Sequence, residues 1–305
     1  MRRVVILLGP TAVGKTDYSI ELALHFGSPI ISCDSRQLFR EMSIGTAVPS
    51  QEQLSRVKHH FIHSHSVEQY YTAGKYEIEA LALVDELFRS HNTLVMTGGS
   101  GLYIDAFCKG LDDFPKVDQE LRKSLTARLK REGVESLQQE LKTVDPESYD
   151  SIDISNGQRV IRALEVTIGT GRKFSSFKTG RTRKREFEIL KIGLRRPREV
   201  LYNRIDRRVD MMMEAGLVEE VRSLVQYRDM PALKTVGYKE IFDYLDGNSS
   251  LEEAVRLIKR NTRHYAKRQL TYWGRDEEIK WLEIGSQLPS SDTNLILTSL
   301  TSSSV

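Results

Sequence analysis

The feature that most constrains the fold is a glycine-rich segment near the start of the chain, Gly9-Pro10-Thr11-Ala12-Val13-Gly14-Lys15-Thr16. It matches the pattern G-x-x-x-x-G-K-[ST], in which backbone N–H groups cradle phosphate oxygens, the lysine adds charge and the hydroxyl can bind Mg²⁺. An apolar run, residues 3–8, precedes the segment, and residues 17–26 follow it with apolar positions at helical spacing. The segment therefore predicts a phosphate or diphosphate site between a strand and a helix.

Short apolar runs alternate with helical patterns over much of the chain. Residues 29–33, 93–97 and 189–194 have the composition of buried strands, and residues 76–88 have helical periodicity. This alternation is typical of a parallel sheet covered by helices on both faces. We therefore predict an α/β fold of the P-loop NTPase type, formed by residues 1–114 and 188–284.

The pattern of apolar residues changes between residues 114 and 188. Helical patterns at residues 118–131, 134–141 and 158–168 follow one another without a β-rich run between them, and a basic linker follows. Residues 115–187 are therefore predicted to form an inserted all-helical domain with this linker. From Gly285 onward, ten of twenty-one residues are Ser or Thr, and this composition predicts a disordered tail over residues 285–305.

Composition and charge limit the cellular context and the partners. Two cysteines, Cys33 and Cys108, provide no disulfide framework, and the longest apolar run near the start is too short for a signal peptide or a membrane span. We expect a cytoplasmic protein without a membrane partner. The net charge of +3 conceals eleven Lys or Arg between residues 172 and 198 and a second basic stretch at 256–275. These stretches indicate a polyanionic partner.

One carboxylate stands at the end of a predicted strand. A P-loop NTPase needs such a group to hold its metal ion, but the other predicted strands end in Gly98-Gly99 and in Arg195. Asp34 is thus the single candidate, either as a metal ligand or as a general base. The alternative interpretation is an aspartate that caps a turn or a helix.

Several basic residues share helix faces. Arg204 and Arg208 are four residues apart and could bind a departing phosphate, although a solvated face paired with Asp206 and Asp210 is the simpler interpretation. Gln158, Arg159 and Arg162 give a second predicted helix an amide-bearing basic face, whereas its Val160 and Ile161 lie on the buried side. Such a face suits a nucleic acid but is weak evidence alone.

Seven segments together carry a resemblance to a known family. They are the glycine-rich loop and the segments 34–40, 44–47, 98–103, 158–165, 236–239 and 265–269. In this order they resemble the bacterial tRNA dimethylallyltransferases, also called tRNA isopentenyltransferases, over nearly the whole chain up to about residue 283. Ser100 departs from the family pattern, because that position is usually threonine.

The resemblance implies an activity and roles for individual residues. The family moves a dimethylallyl group from dimethylallyl diphosphate to the N6 amine of adenosine 37, next to the anticodon of tRNA. Gly9 to Thr16 would then bind the diphosphate, with Lys15 and a Mg²⁺ ion near Thr16 neutralising its charge. Asp34 matches the general base, Ser100 and Arg208 match further catalytic positions, and Arg204 is the second choice for the catalytic arginine.

The same resemblance implies which residues touch the anticodon stem-loop of tRNA. They are Asp34, Ser35, Arg36, Gln37, Ser100, Arg122, Gln158, Arg159, Val160, Ile161, Arg162, Lys234, Thr235, Val236, Gly237, Tyr238 and Lys239. We expect a monomer with Mg²⁺ as cofactor and with tRNA and dimethylallyl diphosphate as partners. Two alternatives stay open: a P-loop kinase or NTPase acting on a small molecule, and a prenyltransferase whose acceptor is free AMP, ADP or ATP.

Overall fold

A six-stranded sheet forms the centre of the fold. The computed structural model describes residues 2–285, 294 and 296–298. The strands of the sheet are β1 (Arg3–Leu8), β2 (Ile30–Ser32), β3 (His59–His60), β4 (Thr93–Gly98), β5 (Glu188–Arg195) and β6 (Ile279–Glu283). Their order is β3-β2-β4-β1-β5-β6, and every neighbouring pair is parallel.

Helices cover both faces of this sheet, and further helices make up the segment between β4 and β5. They are α1 (Lys15–Phe26), α2 (Gln51–Arg56), α3 (Ala73–Leu87), α4 (Gly101–Lys109), α5 (Gln119–Glu132), α6 (Val134–Val144), α7 (Pro146–Ser151), α8 (Gly157–Thr170), α9 (Arg198–Glu214), α10 (Leu217–Ser223), α11 (Tyr238–Leu245) and α12 (Leu251–Trp273). The predicted fold class, a parallel sheet between helices with an inserted all-helical domain, is confirmed.

The central strand β1 is apolar along almost its whole length because neither of its faces meets water. Val4 to Leu8 have no exposed surface, and the facing residues of β4 and α1 are buried with them. A strand that is buried on both sides reads as a continuous hydrophobic run rather than an alternating one. The predicted strand at residues 3–8 has this pattern and occupies this position.

The chain divides into two compact units. One contains the chain up to Cys108 and from Lys184 onward, and the other is Lys109–Arg183. The sequence pattern predicted these boundaries between residues 114 and 115 and between residues 187 and 188. The second unit begins earlier because the Arg183 N–H donates to the carbonyl of Lys109 at 2.8 Å and the Phe114 ring stacks on Phe174, with centroids 4.7 Å apart.

The second unit has its own core. Leucines of α5 and α6 pack against the apolar face of α8, which includes Val160, Ile161 and Leu164. Asp145, before α7, is fully buried, but hydrogen bonds from Ser148 and Ser175 satisfy its carboxylate. Residues 109–183 are all described, and none of them forms a strand.

Most of the predicted disordered tail, residues 285–305, lies outside the described residues. Residues 294 and 296–298 are helical, and Ile296 is buried against the apolar cluster that β1, α1 and β5 share. No described helix is both long enough and apolar enough to span a membrane.

The close approach of β4 to the segment after β2 gives a test of the sheet. A Cβ atom on Gly98 would lie 2.6 Å from the carbonyl carbon and the Sγ atom of Cys33. We expect Gly98→Ala to lower the free energy of unfolding by about 1–3 kcal/mol, because the backbone of Cys33 cannot move away from the added methyl group without a cost in energy. Urea denaturation measures the effect. Gly74→Ala in α3 is the matched control, since the atom nearest to a Cβ added there, Thr72 Oγ1, is 4.0 Å away. Equal stability of the two variants would contradict the expected clash.

Candidate active site

The glycine-rich loop turns sharply between β1 and α1. Gly9 has a φ of 154°, and a Cβ atom there would lie 2.7 Å from the carbonyl oxygen of Leu194 in β5. Gly14 adopts the left-handed region with φ 111°, directly before the first residue of α1. Because the loop ends at a helix N-terminus, free backbone N–H groups and the positive end of the helix dipole lie together, as an anion site requires.

Lys15 lies folded back over this loop. Its Nζ atom donates to the carbonyl oxygens of Gly9 and Pro10, both at 2.9 Å. Burial lowers the pKa of Lys15 to about 8; the charge of Asp34 opposes this shift and that of Arg208 adds to it. The three groups are thus close enough to influence one another, although they come from three different segments of the chain.

Three arginines donate hydrogen bonds to the loop. Arg204 donates from Nε to the Ala12 carbonyl at 2.8 Å, and Arg196 donates from Nε to the Val13 carbonyl at 2.9 Å. Arg208 donates from Nη1 to Thr11 Oγ1 at 3.3 Å. Within the described part of the chain, none of the three forms an ion pair with a carboxylate. Their charge therefore remains available to an anion in the loop.

Arg204 and Arg208, the two arginines considered in the sequence analysis, therefore face the loop. The aspartates on the same helix, α9, pair with basic residues of α12 instead. Asp206 accepts from Arg263 of α12, and Asp210 pairs with Lys259 at 2.6 Å. Sequence reasoning missed Arg196 as a site residue. Its position just after β5, at the same sheet edge as the loop, is the only signal that could have identified it.

Asp34 follows β2 at the edge where β1 ends. Its Oδ1 atom accepts from the backbone N–H of Arg36 at 2.8 Å and of Gln37 at 3.2 Å. Its other oxygen, Oδ2, takes part in neither bond. Asp34 therefore caps the turn that follows it with one oxygen and leaves the second for other chemistry, so the two interpretations drawn from sequence do not exclude each other.

A second turn at the same edge contacts both Asp34's neighbour and the loop. Ser100 Oγ accepts from the Ser35 N–H at 2.9 Å and donates to Ser35 Oγ at 3.0 Å. Gln269, from α12, accepts from the Thr11 N–H at 2.8 Å and donates to the Gly99 carbonyl at 2.8 Å. Gln269 lies in one of the seven resembling segments, yet the sequence did not show that its amide would join these two turns.

A cavity of about 290 Å³ opens beside this turn, and we name it the Ser100 cavity. Ser35, Gly99 and Ser100 line one side, and Tyr265, Gln269, Tyr272 and Trp273 of α12 line another. Four of its lining residues are aromatic. The cavity thus lies between the Asp34 turn and the last turns of α12.

Some residues expected to bind tRNA also hold the scaffold together. Gln37 donates from Nε2 to the carbonyls of Thr46 and Ala47, at 3.1 and 2.9 Å. Tyr238 is fully buried and donates its hydroxyl proton to Glu220 at 2.6 Å. Burial, followed by the charge of Glu220, raises the pKa of Tyr238, so the hydroxyl stays protonated and remains a donor.

Glu220 of α10 is the centre of this scaffold, and sequence reasoning missed it. Its carboxylate accepts from the backbone N–H groups of Ser43, Ile44 and Gly45 at 2.9, 2.7 and 3.0 Å, in addition to Tyr238. One carboxylate thus fixes the loop at residues 43–47, against which the side chain of Gln37 is anchored.

The remaining candidates for tRNA contact differ in exposure. Lys234, Lys239, Gln158 and Arg159 are exposed, Arg36, Thr235 and Val236 are half-buried, and Gly237 is buried. Val160 and Ile161 are fully buried, so their side chains cannot contact an RNA. Arg122 and Arg162 both donate to the buried carboxylate of Glu165.

The role of Glu220 can be tested without an activity assay. We expect Glu220→Gln to accelerate hydrogen exchange at the amides of Ser43, Ile44 and Gly45 by tenfold or more, because a neutral amide oxygen cannot replace a carboxylate that accepts four hydrogen bonds. Glu219→Gln, on the exposed side of the same helix, is the control and should leave these amides unchanged. Unaltered exchange in Glu220→Gln would show that the loop is held by other contacts.

Comparison with known proteins agrees with this geometry. The family described as IPP transferase matches residues 37–276. A tRNA dimethylallyltransferase 1 of Bacteroides thetaiotaomicron is 47% identical over 296 residues, which cover 97% of this chain and 94% of that protein. A tRNA dimethylallyltransferase of Christiangramia forsetii is 50% identical over 277 residues, which cover 91% of this chain and 92% of that protein.

A solved structure is similar over the whole chain as well. The crystal structure of the full-length tRNA isopentenylpyrophosphate transferase of Bacillus halodurans superposes with a TM-score of 0.72 at 35% sequence identity, covering 99% of this chain and 98% of that one. The resemblance that rests on seven segments of sequence is therefore confirmed, and the chain belongs to the IPP transferase family.

Proposed function

We propose that this protein transfers the dimethylallyl group of dimethylallyl diphosphate to the N6 amine of adenosine 37 in tRNA and releases diphosphate. The observation that carries the proposal is the placement of a strand-end carboxylate, Asp34, within electrostatic reach of Lys15 and Arg208 at a phosphate-binding loop. The names of the relatives, which align over more than nine-tenths of their length, support tRNA as the acceptor.

The loop provides the site for the leaving group. Backbone N–H groups at the start of α1, the ammonium of Lys15 and the guanidinium of Arg208 would surround the diphosphate. As the bond between C1 of the allylic group and the diphosphate oxygen breaks, its electron pair leaves with the diphosphate. Preorganised positive charge lowers the energy of that transition state, because the groups need no reorientation during the step.

Asp34 provides the base for the acceptor. An exocyclic adenine amine is a weak nucleophile, and a carboxylate that accepts its proton while the bond from N6 to C1 forms makes the attack easier. Oδ2 is the oxygen available for that proton, since Oδ1 caps the turn at Arg36 and Gln37. Ser100 lies beside this turn through Ser35. The target base must leave its stack to reach such a site.

The chain offers few ligands for Mg²⁺, and they fit an ion that the substrate holds. Among the described residues, no group of three or more His, Cys, Asp or Glu side chains is placed to bind a metal. Thr16 has a hydroxyl at the start of α1, and Mg²⁺ commonly keeps several waters and takes its other ligands from substrate phosphates. When bound there, the ion would neutralise part of the diphosphate charge.

The structure favours this activity over the alternatives. A P-loop NTPase needs a strand-end carboxylate to hold its metal ion, but on the two strands that flank β1 the chain continues into Gly99 after β4 and into Arg196 after β5. A transferase for free nucleotides would not need the helical unit at residues 109–183, which we propose binds the anticodon stem. We further propose that the protein acts as a monomer in the cytoplasm.

The role of Asp34 can be tested with a labelled donor and an anticodon stem-loop. We expect Asp34→Asn to lower the single-turnover rate by about 10²- to 10⁴-fold, the range of a general base, while the variant still binds the stem-loop. Asp85→Asn, an exposed site on α3, is the matched control. An unchanged rate in Asp34→Asn would remove the base assignment, and ATP turnover without modification of the stem-loop would refute the proposed function.

The pKa of Lys15 predicts how donor binding depends on pH. The ammonium is charged below its pKa of about 8 and neutral above it, so attraction to the diphosphate is lost as the pH rises. We expect the donor dissociation constant to increase by about tenfold between pH 7 and pH 9, following the protonated fraction. Lys15→Arg keeps its charge over this range and should flatten the profile. An equally steep profile in both proteins would assign the dependence to another group.

A further inference from the structure

A second cavity, of about 360 Å³, lies next to the Ser100 cavity, because both are lined by residues of α12. It is lined by Lys234, which precedes α11, by Lys239 of α11, and by Asn261, Tyr265 and Arg268 of α12. We name it the Lys239 cavity. Its size falls in the range of about 300–1,000 Å³ that is typical of small-molecule and cofactor sites.

Two side chains line both cavities. Tyr265 and Arg268 contribute to the wall of the Ser100 cavity and to that of the Lys239 cavity. The Arg268 guanidinium lies 5.9 Å from the centroid of the Tyr265 ring. Desolvation raises the pKa of Tyr265 to about 12, and the charge of Asp34 adds to the shift, although 37% of the residue's surface is exposed. This tyrosine therefore separates the Asp34 side of the site from the Lys239 cavity.

Three cations and one carboxylate line the Lys239 cavity, so its net charge is positive. Within the part of the chain that the structure describes, Lys234, Lys239 and Arg268 form no ion pair. Glu240 also lines the cavity, but its two oxygens accept from the Gly237 N–H and from Asn261 Nδ2, at 2.8 and 2.7 Å. Elsewhere on α12, in contrast, Lys259 and Arg263 are paired with the aspartates of α9.

A cationic rim around an aromatic ring is the arrangement that binds single-stranded nucleic acid. Lysine and arginine contact the phosphates, and the ring offers a stacking surface to a base. Consecutive nucleotides are joined by a single phosphate group. Two cavities that share Tyr265 and Arg268 can therefore hold neighbouring nucleotides of one strand.

We propose that the Lys239 cavity binds a nucleotide adjacent to the target adenosine, with its base stacked on Tyr265 and its phosphate contacted by Lys239 and Arg268. This inference rests on the proposed function, because it takes the Ser100 side as the place of the target. Tyr265 then has a role in choosing the RNA sequence beside the target, which is distinct from the chemistry at Asp34.

Equilibrium binding without donor tests the stacking contact. Four anticodon stem-loops are compared: one unmodified, and three with an abasic nucleotide at the target, on its 5′ side or on its 3′ side. Removal of one neighbouring base should weaken binding to the natural protein by about 5- to 150-fold, the range for stacking on an aromatic ring. Tyr265→Phe should show the same loss, because it keeps the ring. Tyr265→Leu should lose less than about twofold.

The outcomes separate this inference from the proposed function. If the natural protein binds the unmodified stem-loop but neither neighbouring base affects affinity, or if Tyr265→Leu is as sensitive as the natural protein, the Lys239 cavity holds no neighbouring base. If the natural protein binds none of the four RNAs, the proposed function itself is wrong. Tyr70→Leu, at another exposed tyrosine, controls for the loss of an aromatic side chain.

The salt dependence of binding tests the phosphate contact. Lys239→Gln should reduce the magnitude of the slope of log affinity against log salt concentration by about 0.7, the value for one contact to a single strand. Lys259→Gln is the matched control on α12, because that lysine is already paired with Asp210. An equal effect in both variants would show that Lys239 contributes only general positive charge.

Discussion

The parallel pairing of β1 between β4 and β5 is the constraint on which the rest of the site depends. In this register Leu8 lies opposite Gly98 on one side and Gly193 on the other, and Ser32 of β2 lies opposite Thr97. Parallel strands end at the same edge of a sheet, so the segments that follow them converge. The close packing leaves no room for a side chain at Gly9 or Gly98, which is why glycines occur there.

Positive charge organises the loop before any anion binds. The carbonyls of the loop accept from Lys15, Arg196 and Arg204, and in the peptide units of Ala12 and Val13 the N–H group points away from the arginine that the carbonyl contacts. Like charges gathered in one place repel one another, and the lowered pKa of Lys15, which burial dominates, includes such a contribution from Arg208. An anionic leaving group relieves that repulsion, so the same residues that strain the free protein favour the bound one.

Helix α12 connects the parts of the site through two kinds of contact. Its first half is tied to α9 by ion pairs at Lys259 and Arg263. Its second half carries Tyr265 and Gln269, of which Gln269 reaches the loop and the Gly99 turn. The basic residues of this helix therefore have different roles, although the sequence does not distinguish them. Ion pairs fix the helix position, and the unpaired cations are left for an anionic partner.

The sequence by itself determined the fold class, the phosphate loop and the candidacy of Asp34, because local patterns encode them: a glycine-rich turn, apolar strands, and a carboxylate at a strand end. It could not show that Arg204 and Arg208 face the loop, nor that Glu220, Arg196 and Gln269 belong to the site. These contacts join residues far apart in the chain. Only the tertiary structure decided them, because a guanidinium or an amide acquires a role from the atoms that packing places beside it.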